Sequence, residues 1–271
     1  MREGARRGLI STPGHHRLRT PTPTEKNLRI LVLADIHGNL PALEKVLLAE
    51  PSIDETWCLG DIVGYGAQPN ECIELLRGQT SLTCIAGNHD WGAVGNTELD
   101  NFNDDARQVC KWTDGELTDV SRDFLESLEP AAVTPGAILA HGSPRNPINE
   151  YVFNLSVARP NFEYFAASLC FVAHTHVPLV FTRSKSGDAD DETIVPQPNL
   201  PVTLGTRRAI VNPGSVGQPR DGESRSAYMI YEPEASRIML KRTAYDIARA
   251  QEAIAAARLP DRLATRLSYG W

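Results

Sequence analysis

Short apolar runs recur along this chain, and each stops at polar side chains of a restricted kind. Arg29-Ile-Leu-Val-Leu-Ala34 runs into Asp35-Ile-His-Gly-Asn39, residues 55–59 stop at Gly60-Asp61, and residues 82–86 stop at Gly87-Asn-His-Asp90. Later, Ala137-Ile-Leu-Ala140 ends on His141, and Leu169-Cys-Phe-Val-Ala173 ends on His174-Thr-His176. Runs of this length bounded by turn formers suit buried strands, and helical patterns lie between them, so the chain is expected to be a layered α/β protein. Strand ends on one sheet edge converge in space, and that edge is where open α/β sheets hold ligands. Asp35, His37, Asp61, Asn88, His89, His141, His174 and His176 are therefore expected to meet in one cluster. Residues two apart in extended backbone project to the same side, so Asp35-x-His37 and His174-x-His176 can each grip one site or straddle two.

Between the strands, residues 40–49 read as a helix, with Asn39 as its N-cap, Pro41 in its first turn, and Leu43, Val46 and Leu47 on one face. Further helices are expected over 70–77, 104–113, 119–128 and 161–167. The later runs at 177–182, 208–211, 227–231 and 237–242 read as an antiparallel second sheet. The polar stretch 185–192 reads as a hairpin excursion within it, and the Ala-rich segment from Ala244 onward as a closing helix. No repeat or linker divides residues 27–271, which read as one domain. Residues 1–26 carry Arg2, Arg6, Arg7, Arg17, Arg19 and Lys26 against Glu3 and Glu25, with three prolines and no apolar stretch, and read as a disordered basic tail rather than a secretory signal.

With 271 residues, 41% hydrophobic and 23% charged, the chain is long enough and apolar enough for one continuous core. Its net charge of -7 argues against nucleic acid or an anionic membrane as an obligate partner, though not against a small phosphorylated ligand. No apolar run approaches the roughly 20 residues needed to span a bilayer. Five cysteines without a C-x-x-C suggest neither a disulfide framework nor a thiolate zinc site, which fits a reducing cytoplasm.

The ligand types point to metal. Asp35, Asp61, Asn88, His37, His141, His174 and His176 are more donors than one ion with an open position uses. Two ions roughly 3.5 to 4 Å apart, bridged by a carboxylate, use them well. Oxygen and imidazole ligation without thiolate suits Mn, Fe, Zn, Ni or Co.

The order D-x-H, G-D, G-N-H-D, H and H-x-H, here Asp35-Ile-His37, Gly60-Asp61, Gly87-Asn-His-Asp90, His141 and His174-Thr-His176, resembles the calcineurin-like metallophosphoesterase superfamily. The resemblance spans about residues 28–222. Asp35-Ile-His-Gly-Asn39, Gly60-Asp-Ile-Val-Gly-Tyr-Gly66, Ser143-Pro-Arg145 and Val211-Asn-Pro-Gly-Ser-Val-Gly217 are similar to its small prokaryotic phosphodiesterase branch. It implies a four-layer αββα sandwich, two mixed β-sheets flanked by helices. It also implies that Asp35, His37, Asp61 and His176 bind one divalent ion and Asp61, Asn88, His141 and His174 the other, with Asp61 bridging. His89 matches the family's histidine that assists the leaving group, and Asn88 and His89 would face substrate. Ala173 stands where the family has the Gly of G-H-T-H, and Ala34 where it often has a polar residue. Both replacements are small, so the ligands are expected to keep their places.

The expected function is a metal-dependent phosphoesterase, foremost a phosphodiesterase, that attacks a small phosphate ester in line with a hydroxide bridging the two ions. Protonated His89 would assist the departing alkoxide. Arg145 is a candidate phosphate contact, with a surface salt bridge as its alternative. The Asn212-Pro-Gly-Ser-Val segment is adequately explained as a turn. Protein phosphatases and symmetrical dinucleoside tetraphosphatases resemble G-D-x-V-D-R-G and G-N-H-E, whereas this chain has Gly64-Tyr65 and Asp90, which removes a guanidinium from that loop. A non-catalytic binding module, as in the retromer subunit of this fold, would show decay of the ligands, and here every one is intact. Substrate choice would lie in the loops at 90–104 and 146–159.

Overall fold

Ile30 and Val32 point one way from the first strand and Leu31 and Leu33 the other, and all four are buried. A strand apolar on both faces must lie between two covering layers, which is how a run such as Ile-Leu-Val-Leu becomes central. The computed structural model describes residues 27–183 and 191–271. The tail expected over 1–26 and most of the excursion expected over 185–192 lie outside the described residues.

Two six-stranded mixed sheets pack face to face. In the first, β1 (Ile30–Leu33), β2 (Glu55–Cys58) and β3 (Leu82–Cys84) run parallel. It continues antiparallel from β1 through β11 (Ser226–Glu232) and β12 (Arg237–Thr243) to β9 (Pro201–Thr203). In the second, β5 (Ala137–Ala140), β6 (Leu169–Phe171) and β10 (Arg208–Asn212) run parallel. Its antiparallel flanks are β4 (Ala131–Thr134) on one side and β7 (Leu179–Arg183) with β8 (Glu192–Ile194) on the other.

The sandwich core is filled by Trp57, Phe171 and Tyr231, with ring centroids 5.4 to 5.8 Å apart, and by Val32, Leu139, Val211 and Met229 from facing strands. Each large side chain so buried contributes about 1.5 to 3 kcal/mol. On the outer face of the first sheet lie α1 (Leu40–Ala49), α2 (Pro69–Arg77) and α5 (Asp119–Glu126). Asn39 caps α1, its Oδ1 accepting from Ala42 N at 3.2 Å, and Leu43 and Val46 turn inward as the periodicity requires. α6 (Leu155–Asn161) covers the second sheet, and α4 (Asp104–Glu116), α7 (Ile247–Ala256) and α8 (Asp261–Thr265) share a further apolar cluster with Tyr65. The four layers expected of the resemblance are present.

Two expectations are corrected. The late strands do not form a second sheet of their own: β7 and β10 complete the sheet begun by β5 and β6, while β11 returns to pair with β1. Both faces of β11 are apolar, so it suits a central position between layers and not a sheet with one wet face. The helix expected over 161–167 lies earlier, at α6, because Asn154 starts it by capping Val157 N at 3.1 Å. Pro160 sits inside its last turn, where the missing N–H ends the helix within a residue or two.

Candidate metal centre

Three parallel strands in each sheet aim their carboxyl ends at one place. The loop after β1 carries Asp35 and His37, that after β2 carries Asp61, and that after β3 opens α3 (Asn88–Ala93) with Asn88 and His89. From the second sheet, β5 leads to His141, β6 to His174 and His176, and β10 to the Asn212–Arg220 stretch.

The loops interlock closely. Asp35 N donates to Gly60 O at 3.1 Å and His37 N to Asp61 O at 2.9 Å. Asp90 accepts from Ile62 N and Val63 N through Oδ1 and from Gly87 N through Oδ2, which clamps the β2 loop onto the β3 loop. Two glycines permit that contact. A Cβ on Gly60, whose φ is +86°, would meet Gly87 N at 2.3 Å, and one on Gly87 would meet Asp61 Oδ1 at 2.1 Å. Asp35, His37, Asp61, His174 and His176 all hold positive φ, between 50° and 66°. Non-glycine residues in that region cost on the order of 1–3 kcal/mol each, and such strain gathers where the surroundings must aim side chains at a site.

The side chains form two groups that share Asp61. Asp35, His37, Asp61 and His176 offer ligand atoms within 4.8 Å of one another, and so do Asp61, His141 and His174. Asn88 Oδ1 joins the second group, 3.2 Å from His141 Nε2. Asp61 Oδ2 lies 3.6 Å from His37 Nε2 and 3.4 Å from His141 Nε2, between the groups. All the ligand-type side chains are buried.

In three of the four imidazoles of these groups the other ring nitrogen is held by a backbone carbonyl. His37 Nδ1 faces Val63 O at 3.0 Å, His141 Nδ1 faces Leu59 O at 2.8 Å, and His176 Nδ1 faces Gln218 O at 2.6 Å. A carbonyl only accepts, so each Nδ1 carries a proton and each Nε2 points inward, with a free lone pair on His37 and His176 and, on His141, a proton that ligation would displace.

That arrangement leaves acceptors facing acceptors. His37 Nε2 is 3.1 Å from His176 Nε2, and Asp35 Oδ1, Asp35 Oδ2 and Asp61 Oδ2 are buried with no hydrogen-bond partner. Buried carboxylate oxygens without donors are costly, and inward lone pairs beside them are what a cation satisfies. The donor set therefore fits two divalent ions.

The titration behaviour agrees. Burial draws His37, His174 and His176 well below the usual imidazole value, leaving them neutral and ready to ligate. Burial, only partly offset by His141, pushes Asp35 up to about 8. Burial would raise Asp61 as well, but His141, His89 and His37 hold it well below the carboxylate range. Burial opposes charge on His141, yet Asp61 and then Asp35 lift it to about 9. His89 is drawn down to about 4 by burial, against the pull of Asp61, so its imidazole is neutral near pH 7 and not the protonated acid expected above.

Beside the centre opens a cavity of about 340 Å³ lined by Tyr65, Asn88, His89, Phe102, Tyr151 and His174 among others. Both loops singled out for substrate choice contribute to it, through Asn101 to Asn103 and through Asn149 and Tyr151. Tyr151 stacks on His174 with centroids 3.8 Å apart. Arg145 takes the second of its two expected courses: its Nε donates to Glu150 Oε2 at 2.9 Å, and it does not line this cavity.

The sequence missed the support given by the β10 loop. Asn212 Nδ2 donates to Ala173 O at 2.8 Å, Ser215 Oγ to Asp35 O at 2.8 Å, and Gly217 N to Asp35 O at 2.9 Å. The signal was present: this segment too follows an apolar strand.

A four-layer α/β sandwich that focuses six strand ends on two Asp/His clusters sharing one carboxylate defines a hydrolase with room for two metal ions. The chain belongs to the calcineurin-like phosphoesterase family, whose model matches residues 28–178. The crystal structure of a metallophosphoesterase from Sphaerobacter thermophilus superposes with a TM-score of 0.83 at 42% identity, covering 91% of this chain and 100% of that one. An uncharacterized protein of Methanocaldococcus jannaschii is 37% identical over 248 residues, 89% of this chain and 98% of its own. The symmetrical bis(5'-nucleosyl)-tetraphosphatase of Pseudomonas fluorescens is 33% identical over 89 residues, 30% of each chain. The chain is a phosphate-ester hydrolase with clustered Asp and His side chains able to hold two metal ions. Among the described residues no helix is long and apolar enough to cross a membrane.

Proposed function

We propose that the chain hydrolyses a small phosphate ester, foremost a phosphodiester, in the cytoplasm, with manganese a suitable occupant of its centre. The observation that carries this reading is the pair of clusters sharing Asp61, with partnerless carboxylate oxygens and inward imidazole lone pairs, beside a cavity sized for a small molecule. Asp35, His37, Asp61 and His176 would hold one ion, and Asp61, Asn88, His141 and His174 the other. When bound, two divalent ions supply Lewis acidity toward phosphoryl oxygens and a water acidified toward neutrality.

The chain's own groups do the rest. Asp61 lies between the clusters and fixes their spacing. His89, whose backbone N–H donates to Asp61 Oδ1 at 2.8 Å, lines the cavity next to Asn88, where its ring N–H can stabilise charge on a departing oxygen. A neutral imidazole serves as that hydrogen-bond donor. Tyr65, Phe102 and Tyr151 supply an aromatic wall for the organic part of the ester. The five cysteines are free, as suits a reducing compartment. Overall negative charge around a locally cationic centre favours a ligand small enough to enter.

The test is a hydrolysis screen of phosphomonoesters, cyclic nucleotides, dinucleotides and diesters such as bis-p-nitrophenyl phosphate on the chain reconstituted with Mn, Ni or Co. Metal-dependent turnover with diesters preferred is expected. Preference for monoesters would overturn the diester assignment. No turnover with any metal would overturn the enzymatic reading in favour of a binding module.

A further inference from the structure

Arg220 is a half-buried arginine held on the rim of the metal centre without a counter-charge. Its backbone N–H donates to His176 O at 3.3 Å, and Nη2 donates to the neutral amide Gln218 Oε1 at 2.8 Å. Its guanidinium carbon stands 5.6 Å from the centroid of Tyr65, a cavity residue whose ring lies 4.4 Å from that of His89 and 4.7 Å from that of His37. Among the described residues no carboxylate forms an ion pair with it, and the adjacent Asp221 is occupied by Arg242.

A stacked, amide-held guanidinium is preorganised, with N–H groups of its fork left over. Its position is electrostatically odd: the Asp35–His176 side of the centre is built to recruit dications, and a fixed cation beside them is repelled unless an anion lies between. Arg220 is not itself a lining residue of the cavity; it reaches the cavity wall through Tyr65 and the centre through the His176 loop, and its charge acts on Asp35, His37, His89 and His176. Tyr65 occupies the loop position where the G-D-x-V-D-R-G pattern has an arginine, and the fold lays Arg220 over that ring from 155 residues further along the chain.

We propose that Arg220, mounted on Tyr65 and Gln218, binds an unesterified oxygen of the substrate's phosphoryl group from the Tyr65 side of the cavity. This assignment deepens the phosphoesterase reading and rests on it. Guanidinium suits the role because it remains charged and presents paired donors that match phosphoryl oxygens, whereas a lysine offers a point charge.

The experiment uses the full chain loaded with Mn, compared with Arg220→Gln and Arg220→Lys, with inorganic phosphate as the binding probe. Arg220→Gln should weaken phosphate binding by calorimetry, and raise its inhibition constant, about 10- to 100-fold. KM for bis-p-nitrophenyl phosphate should rise with it, while two Mn per chain are retained. Arg220→Lys, which keeps the charge, should fall between, and it serves as the test variant if the Gln form does not fold.

Phosphate affinity equal to the parent's in either folded variant overturns the proposal, and parental turnover then leaves the phosphoesterase reading standing. Loss of Mn with unchanged phosphate affinity per loaded site also overturns it, since Arg220 would then be a support for the His176 loop. A parent that binds phosphate through Arg220 but hydrolyses no ester retains the binding assignment and removes the enzymatic one.

Discussion

Gly87→Ala should disable the centre without changing any ligand. The added Cβ would sit 2.1 Å from Asp61 Oδ1 and 2.4 Å from Asp61 N. The first distance is roughly 1.4 Å short of ordinary van der Waals contact. Gly87 has φ -101°, so the penalty is spatial and involves no left-handed backbone. Asp61 has little freedom to yield: its carbonyl accepts from His37 N at 2.9 Å and its Oδ1 from His89 N at 2.8 Å. Relief therefore requires the β2 and β3 loops to part by about 1 Å, which moves the carboxylate lying between the two clusters.

Overpacking of this kind costs about 1–3 kcal/mol, and for a domain of this size each kcal/mol lowers Tm by about 2–4 °C. Misplacement by about 1 Å in a reacting array costs on the order of 100-fold in rate. Metal titration by calorimetry, thermal unfolding and kcat/KM on bis-p-nitrophenyl phosphate should show weaker metal uptake, a Tm lowered by several degrees and at least that loss of rate. Gly95→Ala is the control, because its φ is +77° but its Cβ would meet nothing within 4 Å. It should cost stability through backbone strain and spare activity. Full metal affinity and parental turnover in Gly87→Ala would refute the claim that this contact fixes Asp61.

Metal uptake should release protons. At pH 7 Asp35, raised to about 8, and His141, raised to about 9, hold protons that ligation must displace, so about two should leave per chain. Affinity should therefore rise with pH below about 8, and calorimetry in buffers of different ionisation heat counts the protons; uptake without release contradicts the assignment. His89→Ala should keep its metal yet lose about 10²- to 10⁴-fold in turnover of an alkyl phosphodiester, whose departing oxygen needs assistance. Hydrolysis at the parental rate would rule out that role. Arg145→Ala should change kcat/KM less than about twofold, since its guanidinium is engaged by Glu150; a large rise in KM would return Arg145 to the substrate site.

The sequence by itself determined the central strands and their chemical endings. Buried strands are apolar on both faces, so Ile30–Leu33 and Leu169–Phe171 are legible as local runs, and a run that stops at Asp, Asn or His marks a strand end whatever its partners. The cluster of Asp and His side chains was legible for that reason, because parallel strand ends converge by geometry alone. Only the tertiary structure decided which strands share a sheet. The pairing of β11 with β1 joins residues about 200 positions apart, and nothing local to Ser226–Glu232 distinguishes β1 from any other apolar neighbour. The same holds for side chains whose role depends on where a loop travels. Asn212 and Ser215 read as turn residues until their donors are seen to hold Ala173 and Asp35. Arg145 and Arg220 are both single arginines in polar loops. One meets a carboxylate and the other is held by Gln218 and Tyr65 next to the His176 loop, because charge is written in the sequence but its surroundings are supplied by the fold.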